Sequence, residues 1–428
     1  MHFGDETFRL VFAARREPMP RRAHIAMVSI PAHGHVNPSL ELIRELVSRG
    51  HRVTYANDAS FAEAIATTGA ELVPYRSTLP RPGTPELGWP EDTVGQLDMF
   101  LDDAMSMLPQ LRAAYEDDRP DLFLYDIGCS TARILAENWG LPCVQLSPAF
   151  VAWEGYEQDM ATMVEWLRTD ARAVAHHRRY SDWLAACGVA QPDSLRFVGL
   201  PPRGLVLIPR ALQPHADRVD RGRFTFVGPC FGDRSSQGSW KRPPGARKVV
   251  LVSLGSTFTL QPAFYRASLA AFGGLAGWHV VLQIGKHVEL SELGTIPDNV
   301  EVHRWVPQLA VLEQADAFVT HAGMGGTQEG LYCGLPMIAV PQAADQFANA
   351  DQLVALGVGR RLDTEHATPD ALRSALLQLT EDPQVASRLA VIRKQLREEG
   401  GAVRAAEVLE AELRSSQGSE LLLSKLAP

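Results

Sequence analysis

The residues that carry most chemical information lie between positions 305 and 346. Trp305-Val306-Pro307-Gln308 is followed by His321-Ala322-Gly323-Met324-Gly325-Gly326-Thr327-Gln328-Glu329 and then by Asp345-Gln346. An indole offers a stacking surface to a planar base. Glycines at a strand-to-helix turn let backbone N–H groups approach a phosphate, and a helix N-terminus favours negative charge. The order of these groups predicts a site for a nucleotide base, a diphosphate, a ribose and a sugar, which together make a nucleotide-sugar.

Each residue in this run also has a plainer interpretation. A lone tryptophan after a strand often covers the sheet, and His-x-Gly is often only a turn. Glu329 is predicted on the first turn of a helix over Thr327–Tyr332, where it would accept ribose hydroxyls or simply complement the helix dipole. Asp345 and Gln346 are candidates for sugar hydroxyls, although Asp345 also suits a helix N-cap. We expect the nucleotide-sugar to be bound by Ser256, Trp305, Val306, Gln308, His321, Gly323, Gly325, Gly326, Thr327, Glu329, Asp345 and Gln346.

A second group of candidates lies near the amino terminus. His33 and His35 follow an apolar strand, and a histidine, with a pKa near 6.5, can remove a proton from an attacking hydroxyl. A histidine base needs a partner that fixes its tautomer, and Asp126 ends another apolar strand. Asp126 is otherwise a cap or turn residue. The chain has no G-x-S-x-G elbow, which argues against a serine hydrolase.

The elements that must position these groups alternate between strands and helices. Apolar runs predict strands over His24–Ile30, Arg52–Ala56, Asp121–Ile127, Pro142–Leu146, Leu205–Ile208, Val249–Leu254, His279–Ile284, Glu301–Val306, Ala317–Thr320 and Met337–Val340. Amphipathic stretches between them, such as Leu40–Val47, predict helices. This alternation favours parallel βαβ units with right-handed crossovers, and therefore an α/β fold.

The pattern divides the chain into five segments. Residues 1–22 are predicted to be a disordered or extraneous extension, and residues 23–215 a first Rossmann-like domain that includes His33, His35 and Asp126. Gly and Pro signals mark 216–246 as a linker. Residues 247–398 form a second Rossmann-like domain that binds the nucleotide-sugar, and 399–428 form a helix and tail that cross back. We expect two doubly wound parallel sheets that face a cleft.

Bulk composition excludes several function classes. A chain of 428 residues is long enough for two domains, and its net charge of -9 argues against non-specific nucleic-acid binding. The five cysteines form no metal-binding spacing, which indicates reduced thiols and a cytoplasmic location. No run is long and apolar enough to predict a membrane span.

The run from Trp305 to Gln346 resembles the nucleotide-binding signature of family 1 glycosyltransferases, the UDP-dependent enzymes of the GT-B fold. Trp-x-Pro-Gln, Thr-His-x-Gly, a glutamate eight residues after the histidine, and Asp-Gln all match. The chain departs from the plant form, which has Trp-Asn-Ser where this chain has Met324-Gly325-Gly326. The resemblance implies an inverting, metal-independent transferase that needs no cofactor besides its UDP-sugar, with glucose favoured. It also selects His35, directly before Val-Asn-Pro, as the base and Asp126 as its partner.

Within the family the chain is most similar to bacterial macrolide glycosyltransferases over nearly all of residues 23–415. This implies a hydrophobic acceptor, with antibiotic inactivation as one outcome and a monomer or dimer as the oligomeric state. A biosynthetic dTDP-deoxysugar transferase stays open as an alternative. The chain lacks the dinucleotide-binding fingerprint of an NAD-dependent dehydrogenase, since Gln328 stands at the third glycine position. The acceptor pocket is predicted in loops Thr78–Leu101 and Ala149–Leu184, with apolar surface from Trp89, Met99, Phe100, Phe150, Trp153, Tyr156 and Trp166.

Overall fold

Two all-parallel sheets, each covered by helices, form the framework of the protein. A computed structural model describes residues 22–80, 90, 92–232 and 237–426. The predicted architecture of two parallel-sheet α/β domains is confirmed. The central strands are built from apolar residues because helices exclude water from both faces of a parallel sheet. Among the described residues no helix combines the length and the apolarity that crossing a bilayer requires.

The first sheet has seven strands in the spatial order β3-β2-β1-β4-β5-β6-β7. In chain order they are β1 (His24–Val28), β2 (Arg52–Asn57), β3 (Glu71–Pro74), β4 (Leu122–Asp126), β5 (Cys143–Ser147), β6 (Gly204–Val206) and β7 (Phe224–Phe226). The helices of this half are α1 (His33–Ser48), α2 (Ala62–Ala66), α3 (Thr93–Tyr115), α4 (Thr131–Trp139), α5 (Tyr156–Asp159), α6 (Ala161–Thr169), α7 (Ala171–Ala186) and α8 (Ser194–Gly199).

The second sheet has six strands in the spatial order β10-β9-β8-β11-β12-β13. They are β8 (Lys248–Ser253), β9 (Trp278–Gln283), β10 (Val300–His303), β11 (Ala317–Thr320), β12 (Met337–Ala339) and β13 (Gly359–Arg361). The helices are α9 (Pro262–Phe272), α10 (Gln308–Leu312), α11 (Met324–Cys333), α12 (Gln346–Ala355), α13 (Pro369–Glu381), α14 (Pro383–Glu398) and α15 (Gly401–Leu426).

Each sheet reverses its winding between two neighbouring strands. In the first sheet β1 pairs with β4, and in the second β8 pairs with β11. Ligands of doubly wound folds bind in the crevice beyond the carboxyl ends of such a strand pair. The residues that follow β1, β4, β8 and β11 are therefore brought to the two places where a site is expected.

The structure differs from the sequence prediction at several element boundaries. Helix α1 begins at His33, where only Leu40–Val47 was predicted, because Ala32 accepts hydrogen bonds from the N–H groups of His35 and Val36. The same kind of shift places the start of α11 at Met324. The segment 216–246, predicted to be a linker, includes β7, which pairs with β6 and extends the first sheet. The predicted extension lies almost wholly in residues 1–21, outside the described residues.

The last helix crosses back to the first domain, as predicted. Ala405, Ala406 and Leu409 of α15 are fully buried in the core that lies on the α1 side of the first sheet. At the base of the helix the Gly401 N–H donates to the Val227 carbonyl over 2.7 Å. In the opposite direction, Leu212 leaves the first domain and is buried in the core of the second. The two domains are thus tied by shared apolar cores as well as by the chain itself.

We expect Leu409→Ala to lower the free energy of unfolding by about 2–5 kcal/mol, because it leaves a cavity in the first core. Val403→Ala on the same helix is the matched control: Val403 is 51% exposed, and its truncation should change stability by only about 0.5 kcal/mol. Urea unfolding of both variants measures the difference. Equal, small losses would mean that α15 does not stabilise the first domain.

Candidate active site

A histidine–aspartate pair lies at the winding reversal of the first sheet. His35, in the first turn of α1, and Asp126, the last residue of β4, are 91 residues apart in sequence. His35 Nδ1 and Asp126 Oδ2 are 2.7 Å apart. The His35 side chain is 29% exposed while that of Asp126 is 1% exposed. The carboxylate therefore orients the imidazole from beneath and leaves the ring open to a ligand, as a general base requires.

Small and polar neighbours hold this pair in place. Asp126 Oδ2 also accepts the Gly128 N–H over 2.9 Å, and a Cβ at Gly128 would lie 2.9 Å from that same oxygen. A side chain at 128 would therefore press on the carboxylate. Behind α1, the Tyr55 hydroxyl bridges Ser29 and Ser39, each over 2.9 Å, and fixes the end of β1 against the helix. Gly128 was missed by sequence reasoning, although its place two residues after Asp126 was the available signal.

The environment raises the pKa of His35 above its ordinary value of 6.5. Burial acts in the opposite direction and lowers it, but the charge of Asp126, its hydrogen bond to the ring and the charge of Asp345 together outweigh burial. Each of these groups stabilises the imidazolium, so the ring is a stronger base than a free histidine. His33, the competing candidate, is exposed and packs edge-on against Phe61 with ring centroids 5.0 Å apart.

A second histidine lies at the corresponding reversal of the second sheet. His321 follows β11, and two glycines pack against its ring: a Cβ at Gly255 would lie 2.6 Å from His321 Cε1, and one at Gly323 would lie 2.3 Å from Nε2. Burial lowers the pKa of His321 to about 4, against an opposing contribution from the Ser253 backbone. This imidazole is therefore neutral at physiological pH and acts as a hydrogen-bonding group rather than a charge.

The glycine run forms the N-terminus of α11, not a loop before it. Gly325 and Gly326 occupy the first turn, where backbone N–H groups lack helical partners and suit an anion. Because the helix begins at Met324, the prediction that Glu329 lies on the first turn is wrong. Glu329 lies in the second turn, where it is buried and accepts a 2.7 Å hydrogen bond from Gln308 Nε2. Thr327 is fully buried, so its side chain is not available to contact a nucleotide-sugar.

Among the exposed large apolar residues that the structure describes, Trp305 is the most exposed aromatic residue, with 58% of its surface accessible. It lies two residues beyond β10, so the interpretation of Trp305 as a core tryptophan is wrong and a stacking face is available. Val306 is buried instead, and its N–H donates to Gln283 Oε1 over 3.1 Å. Gln283 Nε2 in turn donates to the Gly255 carbonyl over 3.0 Å. Gln283, which sequence reasoning missed, thus joins the Trp305 loop to the Gly255 loop that contains the exposed Ser256.

Asp345 and Gln346 are adjacent in sequence but differ in role. Asp345 is exposed and precedes α12, yet its carboxylate does not cap that helix and instead accepts a 2.9 Å hydrogen bond from Asn349 Nδ2. Gln346 is buried, and its Oε1 accepts the N–H groups of Gln342 and Ala343. The predicted contact with sugar hydroxyls remains open to the Asp345 carboxylate, which is accessible. The Gln346 side-chain oxygen is instead bound to the loop that precedes α12.

Two loops of this half contain strained backbone. Ala322 has a φ of 60° and Ala344 a φ of 54°, in the left-handed region that favours glycine. Such residues cost of order 1–3 kcal/mol each and persist where the surroundings determine them. Ala322 directly follows His321, and Ala344 directly precedes Asp345.

The two halves face each other. Met324, at the start of α11, packs against the buried cluster of the first half that includes Val151 and Val206. The charge of Asp345 in the second half is also among the causes that raise the pKa of His35 in the first. The N-terminus of α11 therefore lies against the first half, and we call this region between the halves the interdomain site.

Among the described residues the predicted acceptor loops are largely helical, since α3 begins at Thr93, α5 and α6 lie within 149–184, and α7 begins at Ala171. Met99 and Phe100 of α3 pack against the first domain's core, and Phe150 packs against the second. The Trp153 indole donates to Asp159 over 2.7 Å and meets Tyr156 edge-on. Trp166 is partly buried on α6. Trp89 lies outside the described residues.

Similarity to known proteins extends over almost the whole chain. A family model described as "Erythromycin biosynthesis protein CIII-like, C-terminal domain" matches residues 269–409. The oleandomycin glycosyltransferase of Streptomyces antibioticus is 58% identical over 393 residues, which cover 91% of each protein. The NDP-glycosyltransferase YjiC of Bacillus licheniformis is 35% identical over 91% of this chain and 97% of its own length. The crystal structure of the glycotransferase of kitacinnamycin has a TM-score of 0.85 and 58% identity, and the match covers 92% of this chain and 99% of that one.

We expect Asp126→Asn to lower the pKa of His35, because the lowering effect of burial is then opposed by Asp345 alone among the three raising contributions. Asp345→Asn should lower it by less, since Asp345 makes the smallest of those contributions. The Cε1 resonance of ¹³C-labelled histidine, followed by NMR from pH 5 to 9, measures each shift. An unmoved His35 titration in Asp126→Asn would show that the pair is not electrostatically coupled.

Proposed function

The chain belongs to the family 1 glycosyltransferases, and we propose that it transfers a hexose, with glucose favoured, from a UDP-sugar to a hydroxyl group of a macrolide. The observations that carry the proposal are the His35–Asp126 pair at the winding reversal of the first sheet and the packing of Met324, at the start of α11, against the first half. They support a site where a base on one domain acts beside the nucleotide-binding signature on the other. A transferase must bring an acceptor hydroxyl and an activated sugar together in this way.

The reaction that fits this geometry is a direct displacement. The acceptor hydroxyl gives its proton to His35 Nε2, since Nδ1 is bound to Asp126. The hydroxyl oxygen forms a bond to the anomeric carbon of an α-linked UDP-sugar while the bond from that carbon to the diphosphate oxygen breaks. UDP leaves with the bonding electrons, and the attack from the opposite face produces a β-glycoside. Asp126 stabilises the imidazolium that forms.

The second domain stabilises the leaving group. The N–H groups at the start of α11, around Gly325 and Gly326, suit the charge that develops on the diphosphate. The neutral His321 ring adds a hydrogen bond, Trp305 stacks on the uracil, and Glu329 accepts ribose hydroxyls. Asp345 is the accessible group for sugar hydroxyls. Because the helix N–H groups and His321 stabilise the diphosphate, we propose that the reaction needs no metal ion or further cofactor. A chelator should therefore leave turnover unchanged.

The acceptor class rests on the relative from Streptomyces antibioticus, whose name gives oleandomycin as its acceptor. The apolar side chains of α3 and of residues 149–166 supply the surface that a hydrophobic ring system requires. Glycosylation of a macrolide hydroxyl in the cytoplasm would block the contacts that this hydroxyl makes elsewhere, and we propose antibiotic inactivation as the consequence.

The proposal is tested by measuring UDP release from UDP-glucose with and without oleandomycin, together with mass spectrometry of the product. We expect release that depends on the macrolide, and His35→Ala should lower kcat by about 10²- to 10⁴-fold because general-base catalysis is lost. The affinity for UDP should stay within twofold. His33→Ala is the matched control and should keep near-normal turnover. Turnover with a dTDP-deoxysugar but not with UDP-glucose would instead support a biosynthetic transferase.

We expect Trp305→Ala to raise the dissociation constant of UDP by about 5- to 150-fold, which corresponds to the loss of one stacked base. Isothermal titration calorimetry with UDP measures this directly. Val391→Ala removes a similarly exposed apolar side chain from α14, at 56% exposure, and should leave the affinity unchanged. Equal affinities for the Trp305 variant and the unmodified chain would contradict the stacking assignment.

A further inference from the structure

Asn349, a fully buried residue of α12, touches both polar loops of the second domain. Its side-chain Nδ2 donates to the Ala322 carbonyl over 2.9 Å and to Asp345 Oδ2 over 2.9 Å. Both partners are acceptors, so the amide nitrogen rather than the oxygen must face them. One NH₂ group therefore joins the loop after β11 to the loop before α12.

The contact with Ala322 fixes the direction of a strained peptide. Ala322 lies between His321 and Gly323 and has a φ of 60°. Its N–H is held by Thr320 Oγ1 over 3.1 Å, and its carbonyl is held by Asn349. Since both ends of this residue are bound, the imidazole before it and the backbone of Gly323 after it keep a defined orientation.

The contact with Asp345 fixes the position of a charge. Asp345 and Asn349 are four residues apart, so their side chains share one face of the helical turn. Asp345 makes no capping hydrogen bond to α12, and Asn349 is the partner that restrains its carboxylate. The same carboxylate contributes to the raised pKa of His35 across the interdomain site.

We propose that Asn349 is a positioning residue that sets the separation between the diphosphate loop, residues 321–323, and the sugar-side carboxylate of Asp345. A nucleotide-sugar spans these two groups, so their separation decides whether the anomeric carbon is presented to His35 when the diphosphate is bound. The inference rests on the proposed function in taking these loops as the donor site. Asn349 itself is buried and acts through the two groups that it holds.

The test compares two asparagines of the same domain. Asn349→Asp keeps the shape but sets a carboxylate oxygen against the Ala322 carbonyl and the Asp345 carboxylate. Asn299→Asp is the matched control, because Asn299 Nδ2 also donates to two acceptors, the backbone carbonyls of Phe272 and Trp278, at the amino-terminal end of β10. We measure the UDP dissociation constant by calorimetry, the KM of UDP-glucose, the KM of oleandomycin and the melting temperature.

For Asn349→Asp we expect at least a tenfold rise in both the UDP dissociation constant and the donor KM, with the acceptor KM within twofold. Asn299→Asp should lower the melting temperature and leave all three constants within twofold. Unchanged UDP affinity and donor KM in a folded Asn349→Asp would overturn the proposal, as would equal effects in the two variants.

Two further variants separate the contacts and guard against misfolding. Asn349→Ser should lower kcat strongly in the unmodified chain but by less in an Asp345→Asn background, whereas its effect on UDP affinity should be the same in both. In the ligand-free Asn349 variants, hydrogen–deuterium exchange should show less protection than in the unmodified chain, both in residues 320–326 and in residues 342–348. Unchanged protection would also overturn the proposal. The donor specificity of the unmodified chain tests the proposed function separately. If the unmodified chain uses dTDP-sugars, dTDP replaces UDP as the probe in these measurements.

Discussion

The hydrogen bond between His35 and Asp126 depends on the order of strands in the first sheet. The two residues become neighbours because β1 and β4 pair directly, with Val28 opposite Tyr125, and the chain leaves these strands at the same edge. No local sequence feature brings them together. The bond also needs Gly128, whose missing side chain leaves room for the carboxylate. A change in strand order, or a side chain at 128, would separate base and partner even if both residues were kept.

The second sheet uses the same geometry for a different chemical purpose. There β8 and β11 are the paired strands, and the loops after them bring Gly255 against the His321 ring. The crossing of α15 and the burial of Leu212 in the second core hold the two edges in fixed relation. Met324 adds an apolar contact at the site itself. The interdomain site is therefore supported by packing at its rim and behind it, and the polar residues need not provide that stability.

The sequence predicted all the described strands except β3, β7 and β13, whereas it predicted the starts of the site helices poorly. Apolar β-branched runs are typical of buried parallel strands, so strands such as Ala317–Thr320 were predicted with the bounds that the structure shows. Helices α1 and α11, however, begin within His-Gly-His and Met-Gly-Gly, where glycine makes helix propensity low. Their first turns are set by tertiary contacts, which a propensity argument does not include. The start of α11 was therefore predicted at Thr327 instead of at Met324, and Glu329 was predicted on its first turn instead of its second.

Residues that hold other residues were the hardest to predict. Gln283 and Asn349 form no motif, and each is recognisable only once its two partners are known to be close. Gln346 shows that a residue predicted to face a ligand can also hold other residues, because its side-chain oxygen accepts the N–H groups of Gln342 and Ala343. Sequence patterns identify groups that face a ligand, since ligand chemistry restricts their type. They identify the supporting groups less well, because any side chain with the right donor and reach serves.

Two histidines at corresponding places in the two sheets have opposite electrostatic character. Asp126 and Asp345 raise the pKa of His35, whereas burial lowers the pKa of His321 to about 4. A carboxylate beside a histidine ring stabilises its protonated form and makes it a stronger base. A ring that contacts a diphosphate can act while neutral, as a hydrogen-bond donor. In the proposed reaction such a hydrogen bond strengthens as charge develops on the leaving oxygen. The surroundings of the two rings thus fit the separate roles proposed for them, proton transfer for His35 and leaving-group stabilisation for His321.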